Sequence, residues 1–328
     1  EIAFISDAGG GDNIWLMKPD GSDAQQLTKE DFRLLNNPYW SPDGTFIAAR
    51  KHFTTERSLG TGEIWLYHHA GGNGIAVVEK PSEQHQKELG EPAFSPDGRY
   101  IYYSLDSTPG PIFEYAQDSN GQVFEIRRHD LQTGTTQTVV KGAGGAVRPT
   151  PSPDGRYLAF VRRIRGHSAL FIKDLVSGSE KPVYTSLDQD LQEVWAVHGT
   201  YPNMDWTPDS KSIVFWAGGK INRVAIDSME VSEIDFHVTD TRTVFDAPRP
   251  PVEVAPDSFE TRMVRNAEIS PDGSSVVFES AGRLYVQALP GGKPERLTRD
   301  ADDHFEYAPS WSRDGRYIVF VTWNDQTL

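Results

Sequence analysis

The 328-residue sequence contains no cysteine. This absence excludes disulfide bonds, thiolate nucleophiles and zinc–thiolate centres from the chain. Basic residues are scarce as well: 32 lysines and arginines stand against 47 aspartates and glutamates, and the net charge is −15. Nucleic acids and anionic membranes both attract basic surfaces, so neither is an expected partner. The sequence also lacks a run of about 20 apolar residues, so we expect no membrane insertion.

Motifs of common hydrolytic sites are missing too. The nine histidines include no His-x-His pair, which a metal-dependent amidohydrolase would need on one strand. A Gly-x-Ser-x-Gly elbow is also missing, because "GHSAL" at 166–170 ends with Leu170. No phosphate-binding glycine loop occurs. We therefore expect no catalytic set, no metal site and no cofactor in this chain. Any enzyme activity would belong to a longer parent protein.

A short motif recurs six times. It reads Ser-Pro-Asp-Gly in most copies, and its aspartates are Asp43, Asp97, Asp154, Asp209, Asp272 and Asp314. Proline, aspartate and glycine in this order favour a tight turn, since glycine adopts positive φ without a Cβ clash. One copy has Ser210 in place of the glycine, so we expect a β-branched substitution there to cost less than at Gly98. The copies lie 42 to 63 residues apart, a period typical of propeller blades or solenoids.

Strand-like segments surround each copy of the motif. An apolar segment precedes the turn (strand A), and a segment rich in Ile, Val, Tyr and Phe follows it (strand B). Most units continue with a third segment (strand C) such as "EIWLYHH" at 63–69, a second turn, and a fourth (strand D) such as "GIAVV" at 74–78. Each unit therefore predicts a four-stranded antiparallel meander, and about six meanders make an all-β propeller. A solenoid is the alternative, although its units are usually shorter.

The repeat resembles that of TolB-like β-propellers. The resemblance rests on segments such as "SPDGRYIYYS" (95–104), "NIWLMKPDG" (13–21) and "AQQLT" (24–28), and it extends over essentially the whole chain. Less regular segments, such as "STPGPIFEY" (107–115) and "VHGTYPNMDW" (197–206), resemble the N-terminal propeller of large secreted bacterial amidohydrolases. In those proteins a metal-dependent hydrolase domain follows the propeller.

This resemblance implies a non-catalytic module of a periplasmic or secreted protein. Such a module would dock its own catalytic domain or another protein partner and gate substrate. The alternative is a stand-alone TolB-like scaffold for protein interactions in the cell envelope. An enzyme that uses the channel mouth itself is a third hypothesis, for which the sequence offers no catalytic set. Nothing in the sequence indicates the oligomeric state.

The first and last units are incomplete. The sequence contains six A strands, seven B, six C and six D, because the first unit lacks strand A and the last lacks strands C and D. We expect a single propeller domain over 1–328 with six blades, or with seven as the alternative. Strand A near 308–312 could pair with Ile2–Ser6 and close a ring. The chain could also be a fragment of a longer polypeptide, and both explanations can hold.

Long connections are expected at one end of the strands. They comprise the B–C segments 52–63 and 105–121 and the D–A segments 187–202, 239–265 and 300–307, whereas the A–B and C–D turns are short. Binding residues concentrate on loops held by a rigid scaffold. We therefore expect function at this end of the sheets.

The position four residues before the motif serine or threonine is mostly polar. We expect its residues to surround the mouth of a central channel and to form a binding site: Asn37, Glu91, Arg148, Asn203 and Asn266, with Ala308 in the last unit. Ordinary solvation and capping of strand ends is the alternative explanation.

Two of the long connections supply further candidate binding residues. Trp195, His198 and Tyr201 form an aromatic cluster that either anchors a partner or packs its own loop down. His304 and Glu306 belong to the acidic segment "DADDHFE" (300–306). This segment reads as a solvated loop; a calcium site is the alternative, but the ligand spacing is not ordered.

Overall fold

The computed structural model describes residues 1–31, 34–54, 60–114, 117–187, 203–249, 251–298 and 304–324. These residues form 25 strands, which belong to two compact units, Glu1–Thr239 (unit 1) and Asp240–Leu328 (unit 2). Within this described part of the chain, no helix is long and apolar enough to cross a bilayer.

Unit 1 contains five antiparallel sheets in which consecutive strands are neighbours. The first has three strands: β1 (Ile2–Ser6), β2 (Asn13–Met17) and β3 (Gln25–Gln26). The second comprises β4 (Leu35–Trp40), β5 (Phe46–Thr54), β6 (Gly60–His68) and β7 (Ile75–Val78). The third comprises β8 (Leu89–Phe94), β9 (Tyr100–Asp106), β10 (Phe124–Asp130) and β11 (Thr136–Val140). The fourth comprises β12 (Val147–Pro151), β13 (Tyr157–Ile164), β14 (His167–Asp174) and β15 (Glu180–Tyr184). The fifth comprises β16 (Met204–Trp206), β17 (Ser212–Ala217), β18 (Lys220–Ala225) and β19 (Val231–Ile234).

Unit 2 contains two antiparallel sheets. The four-stranded sheet comprises β20 (Arg265–Ile269), β21 (Ser275–Ser280), β22 (Arg283–Ala288) and β23 (Glu295–Arg296). The two-stranded sheet comprises β24 (Phe305–Trp311) and β25 (Ile318–Trp323).

The predicted strand order is confirmed in the described residues. The A strands are β4, β8, β12, β16, β20 and β24, and each pairs with the B strand that follows it. The first sheet starts at its B strand, and the last ends at its B strand. The all-β class and the four-stranded antiparallel sheets are therefore confirmed. The number of blades, the single domain and the closure of a ring stay predictions.

The Ser-Pro-Asp-Gly motif forms the predicted turn between strands A and B. In the second sheet the Ser41 hydroxyl donates to Asp43 at 2.6 Å, and the same carboxylate accepts the Thr45 N–H at 3.0 Å. Gly44 donates its N–H to the Ser41 carbonyl at 2.9 Å and has a φ of 70°. The serine or threonine donates to the aspartate in the same way in all six copies. The turn is therefore closed by hydrogen bonds within the motif itself.

One expected loop is mostly strand. Segment 52–63 was expected to be a long B–C connection, but β5 and β6 pair through nine residues each, from Phe46 with His68 to Thr54 with Gly60. The expectation was wrong because polar residues of this segment, such as Thr61 and Glu63, are buried, and Glu63 forms an ion pair with Lys80 at 3.4 Å. Charged side chains with buried partners occupy sheet positions that a sequence pattern assigns to solvent.

The core of unit 1 lies between successive sheets. Between the fourth and fifth sheets, Ile172, Trp206 and Phe215 belong to one buried cluster. The Trp206 ring stacks on Tyr157 with centroids 6.0 Å apart, and its indole N–H donates to the Thr150 carbonyl at 2.9 Å. This sheet-on-sheet packing holds neighbouring A strands beside one another.

Candidate binding site

A cavity of about 760 Å³ lies in unit 1. Three consecutive positions on each of four A strands line it: 37–39, 91–93, 148–150 and 203–205. Strand β1 adds Ala3, Phe4 and Ile5, and β17 and β18 add Val214, Phe215, Trp216 and Ile221. The A strands thus build most of the wall, as expected for the interior of a propeller.

The A strands carry a β-bulge at the cavity. At Asn37, Glu91 and Arg148 the pairing with strand B shifts its register, and φ is 52°, 59° and 59°. Asn266 and Ala308 have the same feature in unit 2. A non-glycine residue in this conformation costs ~1–3 kcal/mol, and bulges re-aim side chains beside functional sites. Repeated strain at the cavity wall is thus an argument for function there.

An ion pair spans two of the bulges. Arg148 Nε lies 2.9 Å from Glu91 Oε1, and the exposed fractions of the two side chains are 7% and 3%. The N–H does not point straight at this oxygen, so the contact is an ion pair rather than an aligned hydrogen bond. Glu91 Oε2 accepts the backbone N–H of Arg148 at 2.7 Å and the Ser104 hydroxyl at 2.5 Å. The pair ties the third sheet to the fourth.

Two asparagines extend this polar wall. Asn203 Oδ1 accepts a hydrogen bond from Arg148 Nη1 at 2.8 Å. Asn37 Oδ1 is buried and has no hydrogen-bond donor among the described residues. An orphaned buried acceptor costs free energy, typically about 1–3 kcal/mol. A ligand that donates to Asn37 would recover part of it.

Asp205 and Tyr39 complete the ionisable groups of the wall. Desolvation raises the pKa of Asp205, and the Trp206 N–H, which donates to it at 2.8 Å, offsets part of this effect. Burial raises the pKa of Tyr39 to about 12, and the negative charge of Asp205 contributes in the same direction. The Tyr39 hydroxyl therefore stays protonated at neutral pH and can both donate and accept.

A second polar cluster joins the second sheet to the third. Arg50 is fully buried; its Nη2 lies 2.6 Å from Glu88 Oε2, and its Nε donates to the Leu89 carbonyl at 2.9 Å. A Cβ on Gly62 would lie 2.0 Å from that carbonyl oxygen and 2.6 Å from Arg50 Nε. Gly90 leaves room for Arg50 in the same way, since its Cβ would lie 2.6 Å from Cδ. The glycines are therefore required by the buried arginine.

Four of the predicted channel residues come together. Asn37, Glu91, Arg148 and Asn203 all line the cavity. Asn266 belongs to unit 2, where its Nδ2 donates to Glu279 at 2.8 Å. The role of this set in binding stays a prediction.

The remaining candidates have other positions. Glu306 is buried in unit 2 and accepts hydrogen bonds from the Thr298 hydroxyl and from the Leu284 N–H. Burial disfavours its ionised form, but these bonds hold its pKa below its usual range. The carbonyl of His304 accepts a hydrogen bond from the Arg283 side chain. Trp195, His198 and Tyr201 lie outside the described residues.

Sequence reasoning missed Tyr39, Thr150 and Asp205 as wall residues. They lie two positions after Asn37, Arg148 and Asn203, respectively. The signal was present, because the same repeat alignment that marked the bulge position also marks this one. The β1 contribution had no such signal, since the first sheet carries no motif-preceding strand in the sequence.

The described residues offer no obvious metal centre. Within them, no group of three or more histidines, aspartates and glutamates is placed to hold a metal ion. The cavity wall instead combines one ion pair, two asparagines, one aspartate and several aromatic rings. Such a wall suits recognition of a polar group carried by a larger ligand.

Comparisons with known proteins relate the chain to two kinds of protein. No protein-family model matches it. The uncharacterized peptidase YuxL of Bacillus subtilis is 25% identical over 230 residues, which are 70% of this chain and 29% of that protein. The TolB homologue of Chlorobium chlorochromatii is 29% identical over 167 residues, which are 49% of this chain and 31% of that protein.

The solved structure of a putative TolB from Agrobacterium tumefaciens also resembles the chain, with 18% identity, a TM-score of 0.47, and coverage of 92% of this chain and 94% of that one. The similarity to amidohydrolase propellers stays a prediction. Repeated four-stranded sheets, together with the sequence similarity to a TolB homologue, support a TolB-like β-propeller fold.

Proposed function

We propose that this chain is a non-catalytic docking module that binds a protein partner, or the catalytic domain of its own parent protein, at the cavity end of its sheets. The observation that carries the proposal is the set of bulges that aim Asn37, Glu91 and Arg148 at one cavity. Backbone strain of this kind persists where the structure over-determines it, often at binding sites. Propeller scaffolds present such sites on rigid sheets.

The finer proposal concerns the parent protein. We propose a periplasmic or secreted amidohydrolase-like protein, in which the module docks the hydrolase domain and gates substrate. The alternative is a stand-alone TolB-like scaffold that binds envelope proteins, which the similarity to a TolB homologue supports.

A second candidate is a module of a peptidase. The similarity to the peptidase YuxL over 70% of this chain favours it. The matched residues make up 29% of YuxL, so the activity of that whole protein is carried over only as a proposal. The propeller would then restrict access to a peptidase domain.

The reading frame that encodes the chain discriminates these candidates. A His-x-His pair in a following segment would support the amidohydrolase, and a Gly-x-Ser-x-Gly elbow would support the peptidase. A frame without either motif would favour the stand-alone scaffold. In all three cases the purified 328-residue chain should hydrolyse no amide, ester or peptide substrate, and turnover at a measurable rate would refute the non-catalytic reading.

Docking can be tested by site-specific cross-linking. The chain has no cysteine, so one introduced cysteine carries the label alone. Gln84 is exposed in the connection between β7 and β8, at the bulge end of the sheets, whereas Lys211 is exposed in an A–B turn at the opposite end of its sheet. Gln84→Cys and Lys211→Cys would each receive a photoreactive thiol label and be exposed to the envelope fraction of the source cells and to any polypeptide that the reading frame encodes after this chain.

The proposal expects one dominant cross-linked species from position 84 and little from position 211. Glu91→Gln combined with Gln84→Cys should weaken the cross-link if the cavity takes part. Equal labelling from both positions, or none from position 84, would overturn docking at this end.

A further inference from the structure

The charge balance of the cavity wall points to the chemistry of its ligand. Among the described wall residues, Glu91 and Arg148 neutralise each other at 2.9 Å, and both side chains are almost completely buried. Asp205 is the remaining charged residue of the wall, and its side chain is exposed to the cavity. The wall therefore has a net charge of about −1 where an arriving group would meet it.

Asp205 has no basic partner in the described part of the chain. Its carboxylate accepts the Trp206 N–H at 2.8 Å, and no described lysine, arginine or histidine forms an ion pair with it. A carboxylate in partly desolvated surroundings gains when a cation replaces the lost water. Asp205 is therefore a ready counter-ion.

A neutral acceptor lies on the same wall. Asn37 Oδ1 is buried without a donor, and its backbone is held at a φ of 52° by the bulge. An ammonium or guanidinium group carries several N–H donors, so it can satisfy the carboxylate and a neutral acceptor together. An anion would instead face the unpaired charge of Asp205 and the acceptor Asn37 Oδ1.

Aromatic rings also line the cavity. Phe4, Tyr39 and Trp216 belong to the wall, and Trp216 is 38% exposed. Aromatic faces attract cations, most strongly for tryptophan. The cavity of about 760 Å³ is larger than one side chain, so it admits the side chain together with part of the segment that carries it.

We propose that this cavity receives a lysine or arginine side chain of the docked protein, with Asp205 as its counter-ion and Asn37 Oδ1 as a second acceptor. The inference rests on the proposed docking function and names the chemical class of the partner group. The cation is supplied by a peptide segment rather than by a free small amine, because a long side chain on a segment can fill the cavity as well as reach the carboxylate.

Isothermal titration calorimetry tests this assignment with defined probes. The probe is the peptide acetyl-Ala-Ala-Lys-Ala-Ala-amide. Matched peptides carry Nε-acetyl-lysine or glutamate at the central position, and free cadaverine provides the small cation. Asp205→Asn removes the charge with little change in shape, while Glu79→Gln removes an exposed charge outside the cavity as a matched control. Circular dichroism and urea unfolding check that both variants are folded.

The lysine peptide should bind, and the acetyl-lysine and glutamate peptides should bind at least about tenfold more weakly, since loss of one partner of a desolvated charge pair has at least this effect. Asp205→Asn should weaken lysine-peptide binding by a similar factor, and Glu79→Gln should leave it unchanged. Equal binding of the lysine and acetyl-lysine peptides, or an equal effect of the two variants, would overturn the assignment. Cadaverine binding as tight as that of the peptide would also overturn it, because the site would then serve free amines.

The two proposals fail separately. If position 84 is cross-linked but the lysine and acetyl-lysine peptides bind equally well, the cation-site proposal is refuted and the docking proposal stands. Lysine discrimination without any cross-link at position 84 removes docking at this end and, with it, the assignment of the cation to a docked protein.

Discussion

From one repeat to the next, the two ends of the A strands keep different features: the turn end keeps its side chains, and the cavity end keeps its backbone conformation. At the turn end the residues themselves recur: a hydroxyl donates to an aspartate at 2.5–2.6 Å in all six copies. At the cavity end the backbone recurs, since Asn37, Glu91 and Arg148 share a positive φ and a bulge, but the side chains differ. The turn end thus repeats chemistry that folds the chain. The cavity end repeats one backbone geometry, and the three side chains that it carries are an amide, a carboxylate and a guanidinium.

This difference separates folding from recognition within one strand. Turn hydrogen bonds lie within six consecutive residues and are exposed or partly buried. The contacts of Glu91 and Arg148 join residues 57 positions apart and are buried. We therefore expect the cavity end to respond to single substitutions more strongly than the turn end.

The largest effect is expected for Glu91→Ala. The Arg148 guanidinium would stay buried without its counter-ion, which typically costs about 3–5 kcal/mol of unfolding free energy. Glu91→Ala/Arg148→Ala should recover part of this loss, because no isolated charge remains. Urea unfolding of both single variants and the double variant gives the coupling energy. Additive losses would show that the pair is not coupled, and the contrast between the two ends would fail.

A turn-end substitution should cost less. Gly98 has a φ of 70°, and a Cβ there would meet only Pro42 Cδ, at 3.9 Å. Gly98→Val should therefore lose about 1–3 kcal/mol from backbone strain alone. The measurement is the urea midpoint, with Gly98→Ala as the variant that has a Cβ but no branch. A loss larger than that of Glu91→Ala would reverse the ranking of the two ends.

Ser210 provides an internal comparison for the same turn. Its φ is 57°, and its hydroxyl accepts the Asp154 N–H at 3.1 Å. Ser210→Val should therefore cost as much as Gly98→Val or more, which differs from the expectation based on sequence alone. A clearly smaller loss at Ser210 would restore that expectation.

The smallest effect on stability is expected from acid, and it has opposite signs for the aspartates at the turn end and at the cavity end of the A strands. The Ser41 and Ser270 hydroxyls, with neighbouring N–H groups, lower the pKa values of Asp43 and Asp272 to about 2 from 3.8. The unfolded chain then binds more protons than the folded one, so the stability that these turns contribute is lost as pH falls from 3.8 to about 2. Asp205 has a raised pKa, so its protonation favours the folded state.

Thermal unfolding midpoints from neutral pH down to about pH 2 test the contrast, because the raised pKa of Asp205 places most of its effect above pH 3.8. Asp43→Asn and Asp272→Asn should make the midpoint less sensitive to acid, whereas Asp205→Asn should make it more sensitive. The same direction of change in all three variants would mean that the two ends do not differ electrostatically.

Much of the fold follows from local sequence. The order of A, B, C and D strands was predictable because each turn is closed by residues within its own motif, as with Ser41, Asp43 and Gly44. The cavity positions of Asn37, Glu91, Arg148 and Asn203 were predictable because all four residues occupy the same position of the repeat. A repeat alignment transfers position reliably, since every unit is the same meander.

Partnerships between distant residues were not predictable. Arg50 appears in the sequence as one more charged residue, yet it is fully buried against Glu88 and Leu89 of the next sheet. For the same reason segment 52–63 read as a loop although most of it is strand. A charged residue is expected to be exposed only when no oppositely charged partner is available in the interior. Here the partner of Arg50 comes from another sheet, so the sequence near Arg50 does not reveal it.

The sequence by itself determined the turns, the strand order and the repeat position that faces the cavity, because hydrogen bonds within a few residues and a period-two side-chain alternation are local properties. Only the tertiary structure decided that Glu91 pairs with Arg148 while Asp205 has no cation beside it in the described residues. Whether a charge is neutralised depends on which strands the sheets bring together, and that packing is set by the apolar clusters between sheets rather than by the charged residues themselves.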